Sequence, residues 1–250
     1  MYRLTGTDPI VNLAAEDWVF RTVDTSKAAV LLLWRNRPTV VIGRNQNQWT
    51  ECNMQALADR AIPFVRRYSG GGSVYHVRTR KHDRPKQHKQ TKKQDLGNSV
   101  FTIISDRASF DRAANAQLVA RALKRLEIDA TVSPRHDVLV QGHKVSGAAF
   151  KLTSKGAYHH ATMLISADKT SLRSLLKPAS QGLIKSAGVA SVPSPTMNLC
   201  EIAPHLTHAS FCDALADEFI ESYSGPIAMV LQKCVWREVI NSLFFDRTRT

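Results

Sequence analysis

The residues whose types suit chemistry fall in a few short runs. The most informative is Arg66-Arg67-Tyr68-Ser69-Gly70-Gly71-Gly72-Ser73-Val74-Tyr75. Glycines lack Cβ atoms, so this backbone can take positive φ and approach a ligand closely. Successive amide N–H groups can then form an anion-binding nest, and two adjacent arginines supply charge for a phosphate or carboxylate. The run is neither a Walker loop nor a GxGxxG fingerprint. Taken alone, it reads equally as a flexible turn beside surface arginines.

A second run, His143-Lys144-Val145-Ser146-Gly147-Ala148-Ala149, sets a lone lysine before small residues on a strand. Small side chains leave room for a ligand, and the lysine suits a phosphate and an acyl oxygen. The plainer reading is an edge-strand lysine that deters aggregation. Asp137 suits a Mg²⁺ ion or simply begins a strand. The neighbours His159 and His160 point to opposite faces of a strand, so they cannot easily share a metal. Cys52, Cys200, Cys212 and Cys234 are far apart and form no CxxC pair, which argues for reduced thiols in an intracellular compartment rather than zinc.

These runs need elements to hold them. Asp8–Arg21 reads as a helix capped by Asp8, with Pro9 in its first turn. Ala28–Trp34 and Thr39–Arg44 are β-branched apolar runs whose separator, Arg35-Asn36-Arg37-Pro38, predicts a hairpin. Cys52–Asp59 predicts a short helix, Ile62–Arg67 and Ser99–Ile104 strands, and Phe110–Leu126 a helix. Ala130–Val132, Asp137–Val140, Lys144–Phe150 and His159–Ser166 read as further strands, the middle pair turning at Gln141-Gly142-His143. Helices follow from Ala167 to Leu176 and from Thr207, a cap, to Tyr223. Strands in clusters with helices between them predict an α+β domain with a mixed sheet.

The chain has 250 residues, 43% of them hydrophobic, enough for one large domain without disulfide or metal staples. No apolar run reaches the ~18 residues of a membrane span, and Met1-Tyr2-Arg3-Leu4 resembles neither a secretory signal nor a transit peptide. Neither membrane association nor secretion is expected. The net charge is +13, yet Val77–Gln94 alone holds eight Lys/Arg and one Asp and contributes +7. With one apolar side chain this segment predicts a solvated, disordered basic insert. As a nucleic-acid module it would be strongly salt-dependent, but it lacks aromatic residues for stacking, so no nucleic acid is expected.

Order and wording add what the single runs lack. Asp8-Pro9…Asn12-Leu13-Ala14…Glu16 is followed by Pro38-Thr39-Val40-Val41-Ile42-Gly43-Arg44-Asn45-Gln46-Asn47 and Glu51-Cys52-Asn53. After the glycine run and His76 come Asp95-Leu96-Gly97-Asn98, Asp137-Val138-Leu139-Val140, Lys144-Val145-Ser146-Gly147, Tyr158–Leu164 and Pro193–Leu199. Over about residues 8–225 the sequence resembles the lipoate–protein ligase and lipoyltransferase family. The resemblance implies the biotin/lipoate protein ligase catalytic fold, similar to class II aminoacyl-tRNA synthetases, with a mixed sheet and flanking helices. It implies transfer of lipoate, through lipoyl-adenylate, to one lysine of an apo lipoyl domain. Acceptors would be 2-oxoacid dehydrogenase subunits or the glycine-cleavage H protein. ATP (or ready-made lipoyl-AMP), lipoate and Mg²⁺ would be the small molecules.

Carried over by motif, Arg67 contacts the adenylate phosphate and carboxyl end, and Gly72, Ser73, Val74 and Tyr75 form the nucleotide loop. Lys144 lies against the acyl-phosphate as the catalytic cation. Arg44, Ser69, Gly70, Gly71, His76, Asn98, Asp137 and His160 complete the expected pocket, with Mg²⁺ on Asp137 or on the nucleotide phosphates. The physics agrees: an amine attacking a mixed anhydride needs cations and amide donors aimed at the developing charge, and no enzyme nucleophile.

Two departures stand out. Removing Val77–Gln94 restores Ser-Gly-Gly-Gly-Ser-Val-Tyr-His-Asp-Leu-Gly-Asn without a gap, eighteen whole codons that can begin with GT and end with AG. A retained intron is preferred over a functional basic loop, which would imply a eukaryotic source and a mitochondrial setting; otherwise the setting is cytoplasmic. Past Gly225 the resemblance fades, leaving 226–250 as a divergent tail without the accessory domain of longer ligases. A separate accessory domain or activating enzyme would then make the adenylate, and this chain would only transfer. An inactive relative, broken by the insert, is the remaining reading.

Overall fold

Asp8 starts the first helix as its type demands. Its carboxylate accepts from the backbone N–H groups of Ile10 and Val11, with Pro9 in the first turn. The computed structural model describes residues 1–76, 97–168, 174–176, 185–192 and 194–223. The basic insert 77–94, the tail 226–250 and residues 169–173 of the helix expected from 167 lie outside the described residues.

The elements are β1 (Tyr2–Arg3), α1 (Pro9–Thr22), β2 (Val30–Trp34), β3 (Thr39–Ile42), α2 (Gln48–Glu51) and α3 (Met54–Asp59). Then come β4 (Phe64–Arg66), β5 (Val74–His76), β6 (Asn98–Asp106), α4 (Arg112–Lys124), β7 (Thr131–Val132) and β8 (Val138–Val140). β9 (His143–Leu152), β10 (Gly156–Leu164) and α5 (His208–Ser222) complete them. Seven strands form one sheet in the order β1-β2-β6-β10-β9-β8-β7, and three form another, β4-β3-β5. Both are mixed: β1 runs parallel to β2, and β3 parallel to β4, while the other pairings are antiparallel. The α+β expectation holds.

Three apolar clusters show the layering. Leu31, Phe101, Ala161 and Met163 pack on Leu118, Leu123, Phe211 and Leu215 of α4 and α5. The opposite face of the large sheet, through Leu32, Trp34, Val100 and Tyr158, meets Leu13 and Val19 of α1 and Val41 of the small sheet. Beyond the small sheet, Val40, Ile42 and Tyr75 pack on Leu57 of α3. All five residues of β2 are buried, the continuous apolar run expected of a strand covered on both faces.

The hairpin expected between the runs at Ala28–Trp34 and Thr39–Arg44 does not form. β2 pairs with β6, whereas β3 pairs with β4 and β5 in the other sheet. The intervening chain is held by α1 instead. Asn12 donates to the Arg35 carbonyl and the Asn36 side chain, each at 3.0 Å, and Asp8 pairs with Arg37 at 2.7 Å. These contacts carry the chain from one sheet to the next.

Gln141 and Gly142 have φ of 49° and 75°, the mirror-image turn that suits a two-residue hairpin, so β8 and β9 join as expected. His159 and His160 face opposite sides, also as expected. His159 packs against Phe150 and Phe101 at 4.9 and 5.9 Å between ring centres. Neither of its ring nitrogens finds a partner among the described residues.

Burial pushes the His159 imidazole down to about 3, with His160, His136 and Arg112 adding to the effect. His76, also buried, goes down to about 3 for the same first reason, then through His160 and Arg67. Unfolded, each ring takes a proton below about pH 6.5; folded, each stays neutral to about pH 3. The unfolded chain thus binds more protons in that window, so stability falls as pH drops from about 6.5 toward 3. His159→Phe keeps the aromatic packing and removes one of these groups. Thermal melts between pH 4 and 8 should show a shallower acid decline than wild type; parallel curves would overturn this.

The ends of β5 and β6 touch: the Asn98 Nδ2 donates to the Tyr75 carbonyl at 3.2 Å. Twenty-one residues, 77–97, join these neighbouring strands, and deleting 77–94 leaves Asp95-Leu96-Gly97 to span the gap. Shortening a loop sevenfold lowers its closure cost by about 1.7 kcal/mol. The deleted protein should fold and melt higher than wild type by circular dichroism. Failure to fold would show that the segment is structural.

Candidate functional site

β4 and β5 flank β3, one parallel and one antiparallel, so both meet the glycine run at the same end of the small sheet. The run therefore crosses over the end of β3, where Gly43 follows. A Cβ on Gly43 would lie 2.1 Å from the Gly71 carbonyl oxygen, so no side chain fits there. The run then reaches the large sheet. The Gly70 N–H donates to the Phe150 carbonyl at 3.2 Å, and Gly71, at φ 80°, leaves its Cα close to Ala148 and Ala149 of β9.

Arg67 shapes the loop from beneath. Its guanidinium donates to the carbonyls of Gly70 and Gly72 at 2.5 and 2.8 Å, to Val41 at 3.4 Å, and to the Ser69 hydroxyl at 3.2 Å. In a planar trans peptide the next residue's N–H points opposite to the carbonyl. Arg67 therefore turns the Gly71 and Ser73 amides away from itself, toward the far side of the loop. The Ser73 amide is taken up by the Ser191 hydroxyl at 3.1 Å, so the Gly71 amide is the donor offered to a nest. Burial pushes the Arg67 guanidinium down to about 10, and Glu16 and Tyr158 pull the other way, so it stays charged at neutral pH. Arg66 is exposed and clamps the neighbouring loop through the carbonyls of Gly43, Arg44 and Gln46.

Lys144 and the glycine loop share a face of β9. Strict alternation would set Lys144 and Gly147 on opposite faces, three residues apart. The β8–β9 register shifts beside Val138 and Leu139, and the Lys144 side chain lies over Gly147, where a Cβ would meet its Cε at 3.6 Å. Gly147 is two residues, about 7 Å, from Ala149 under the loop. Lys144 Nζ pairs with Asp137 Oδ1 at 2.7 Å. Its backbone N–H donates to the Pro195 carbonyl at 2.9 Å and its carbonyl accepts from Met197 at 3.1 Å.

The remaining expected residues divide. Ser69 is buried under Arg67, and Arg44, exposed, joins the loop through its N–H to the Ser69 carbonyl at 2.9 Å. Gly72 and Ser73 lie on the loop itself. Tyr75 sends its ring into the core beyond the small sheet, and Val74 packs on the opposite side. Alternation along β5 sends the two into different layers. Asn98 and His76 are buried at the strand junction. His160 lies deeper, with Nδ1 2.7 Å from Glu16 Oε1, a carboxylate that also accepts from Thr102.

Among the described residues no three His, Cys, Asp or Glu side chains gather to hold a metal. Asp137 offers one carboxylate, and this suits Mg²⁺ only in its usual manner, held mainly by nucleotide phosphates with one or two carboxylates. Sequence reasoning missed the parts played by Gly43, Gln46, Glu51 and Ser191. The first three stand inside its own motifs, so the signal was present without the geometry to interpret it.

The family model for the lipoyl protein ligase A/B catalytic domain matches residues 8–79 and 93–220. The chain belongs to this family. The break in the match falls inside the basic segment 77–94. Over 217 residues the chain is 39% identical to the lipoate-protein ligase A of Psychrobacter cryohalolentis, covering 87% of this chain and 58% of that one. It is also 39% identical to the human mitochondrial lipoyl amidotransferase LIPT1, covering 86% of this chain and 53% of the relative. It thus spans little more than half the length of these curated relatives. Plasmodium falciparum LipL1, solved with lipoate, superposes with a TM-score of 0.74 at 25% identity, over 100% of this chain and 74% of that one. The fold is that of the lipoate ligase catalytic domain.

If Arg67 orders the loop amides, its loss should damage ligand binding more than the loss of Arg66. Arg67→Ala should weaken binding of a non-hydrolysable lipoyl-adenylate analogue by at least tenfold, and Arg66→Ala by less, in a calorimetric titration. Equal losses would overturn the assignment.

Proposed function

We propose that the protein transfers a lipoyl group from lipoyl-adenylate to a lysine of an apo lipoyl domain. The observation that carries this is the shared face of β9, with Lys144 at one end and the glycine-loop contact at the other. Family membership supplies the substrate class. Acceptors would be lipoyl domains of 2-oxoacid dehydrogenase subunits and the glycine-cleavage H protein. The mitochondrial human relative favours the same compartment in a eukaryote, and the bacterial one favours the cytoplasm.

The reaction needs little covalent help. The acceptor amine attacks the acyl carbon of the mixed anhydride, a C–N bond forms, and the acyl C–O bond breaks. AMP leaves with that electron pair, and the amine's surplus proton passes to solvent. This chain's residues hold and neutralise. The Gly71 amide receives the phosphate, and the Lys144 ammonium faces the negative charge growing on the acyl and leaving oxygens. Asp137 keeps that ammonium in place. Positioning alone is worth several kcal/mol when one reactant is already activated.

Making the adenylate from free lipoate and ATP is the fuller activity of the ligases; Mg²⁺ would then be held by the nucleotide phosphates, with Asp137 as a protein carboxylate that could join them. A relative named as an amidotransferase favours transfer alone, with a separate accessory domain or enzyme providing the adenylate. Purified protein, an apo lipoyl domain and either lipoate with MgATP or synthetic lipoyl-adenylate separate these by acceptor mass. Modification is expected with the adenylate. Lys144→Ala should lower that rate about 100-fold or more, as loss of one oxyanion donor does elsewhere, with an unchanged melting curve. A rate within twofold of wild type would remove Lys144 from the chemistry, and an unmodified acceptor under both conditions would leave an inactive relative.

A further inference from the structure

Residues 185–192 include a short strap that lies across the glycine loop, and one carboxylate fastens it. Ser191 donates to Glu51 Oε2 through its hydroxyl at 2.5 Å and through its N–H at 3.2 Å. The same Ser191 hydroxyl accepts the Ser73 N–H at 3.1 Å and the Gln46 amide at 3.0 Å. Gln46 gives its second amide hydrogen to Glu51 at 2.8 Å. Its oxygen accepts from the Ser73 hydroxyl at 3.0 Å and the Gly43 N–H at 2.8 Å. A Cβ on Gly72 would sit 3.1 Å from the Ser191 hydroxyl oxygen, so glycine there allows the strap's close approach. Farther along, Val189 donates to the Asn45 carbonyl at 2.9 Å.

Glu51 and Gln46 are both buried, at 8% and 4% exposure, while Val189 and Val192 are 51% and 60% exposed. The strap is therefore held by polar bonds, with these valines turned outward. Its hold on the loop depends on a single charged acceptor, since hydrogen bonds to an ionised group are the stronger ones.

We infer that Glu51 is a positioning residue for the glycine loop, acting through Gln46 and Ser191 on the Ser73 amide and hydroxyl. It makes the β3–α2 loop, the glycine loop and the strap one unit, so that the Gly71 amide is already set when the phosphate arrives, with Ser73 held by the strap. Preorganisation of this kind lowers the cost of ordering the site on binding. The inference rests on reading the glycine loop as the adenylate loop.

The test uses full-length Glu51→Gln and Ser191→Ala proteins. Lipoyl transfer is followed against lipoyl-adenylate concentration, and hydrogen exchange of peptides over 70–76 is measured without ligand. Glu51→Gln should raise KM for the adenylate about tenfold and leave kcat within twofold, with faster exchange over 70–76. Ser191→Ala should move both in the same direction by less. A lowered melting temperature with KM unchanged would mark Glu51 as merely structural and overturn the proposal. Wild-type protein that cannot use lipoyl-adenylate would overturn the adenylate reading, and exchange in Glu51→Gln would still decide whether this carboxylate holds the loop.

Discussion

The glycine loop passes over the end of β3 with backbone against backbone: a single methyl group on Gly43 would stand 2.1 Å from the Gly71 carbonyl oxygen. Everything at the site inherits its position from that crossing. Because the loop lies so low, Gly70 can bond to Phe150 of the other sheet and Gly71 can rest on Ala149. The two sheets are thereby tied at the point where Lys144 projects. A bulkier residue at Gly43 would lift the loop from β9 and separate the lysine from the amides.

Arg67 makes the crossing rigid, and it carries an electrostatic cost. Among the described residues its guanidinium, 4% exposed, is bonded to carbonyls and a hydroxyl. Buried charge without opposite charge is expensive. An opposite charge that acts on Arg67 is Glu16, fully buried on α1 and shared with Thr102 and His160. The seam between the sheets thus holds a cation, a carboxylate and two imidazoles, of which His76 stays neutral at physiological pH. A seam filled with apolar residues would pack as well, but it could not keep the loop carbonyls turned inward and the amides outward.

Much of this was legible in residue order. The caps at Asp8 and Thr207, the turn at Gln141-Gly142 and the strand character of β2, β6 and β10 follow from local chemistry. The glycine run with its arginines stands out in the residue order, and the opposed faces of His159 and His160 follow from alternation. What escaped is non-local. The separator Arg35–Pro38 carries a good local hairpin signal, yet Asn12, more than twenty residues away, sends the chain to another sheet. Tyr75 enters the nucleotide loop by motif, and the motif does not show that alternation along β5 sends its ring into the core. Ser191 bonds to Glu51 across 140 positions, and no local pattern encodes such a pair.

Lys144 and Asp137 show how little of a site's geometry answers to stability. Both side chains keep partial access to solvent, 23% and 18%, and an ion pair so placed contributes under about 1 kcal/mol. Removing it would hardly unsettle the sheet. The surrounding structure nevertheless fixes the lysine on three sides. β8 pairs with its strand through a shifted register, the Pro195–Met197 segment bonds to its backbone from the other side, and Gly147 leaves a trough for its chain. The register shift is the decisive piece, because without it the ammonium would face α4 and α5. A bulge disrupts the ladder locally and re-aims a side chain. Here it aims the Lys144 ammonium along the face that the glycine loop touches.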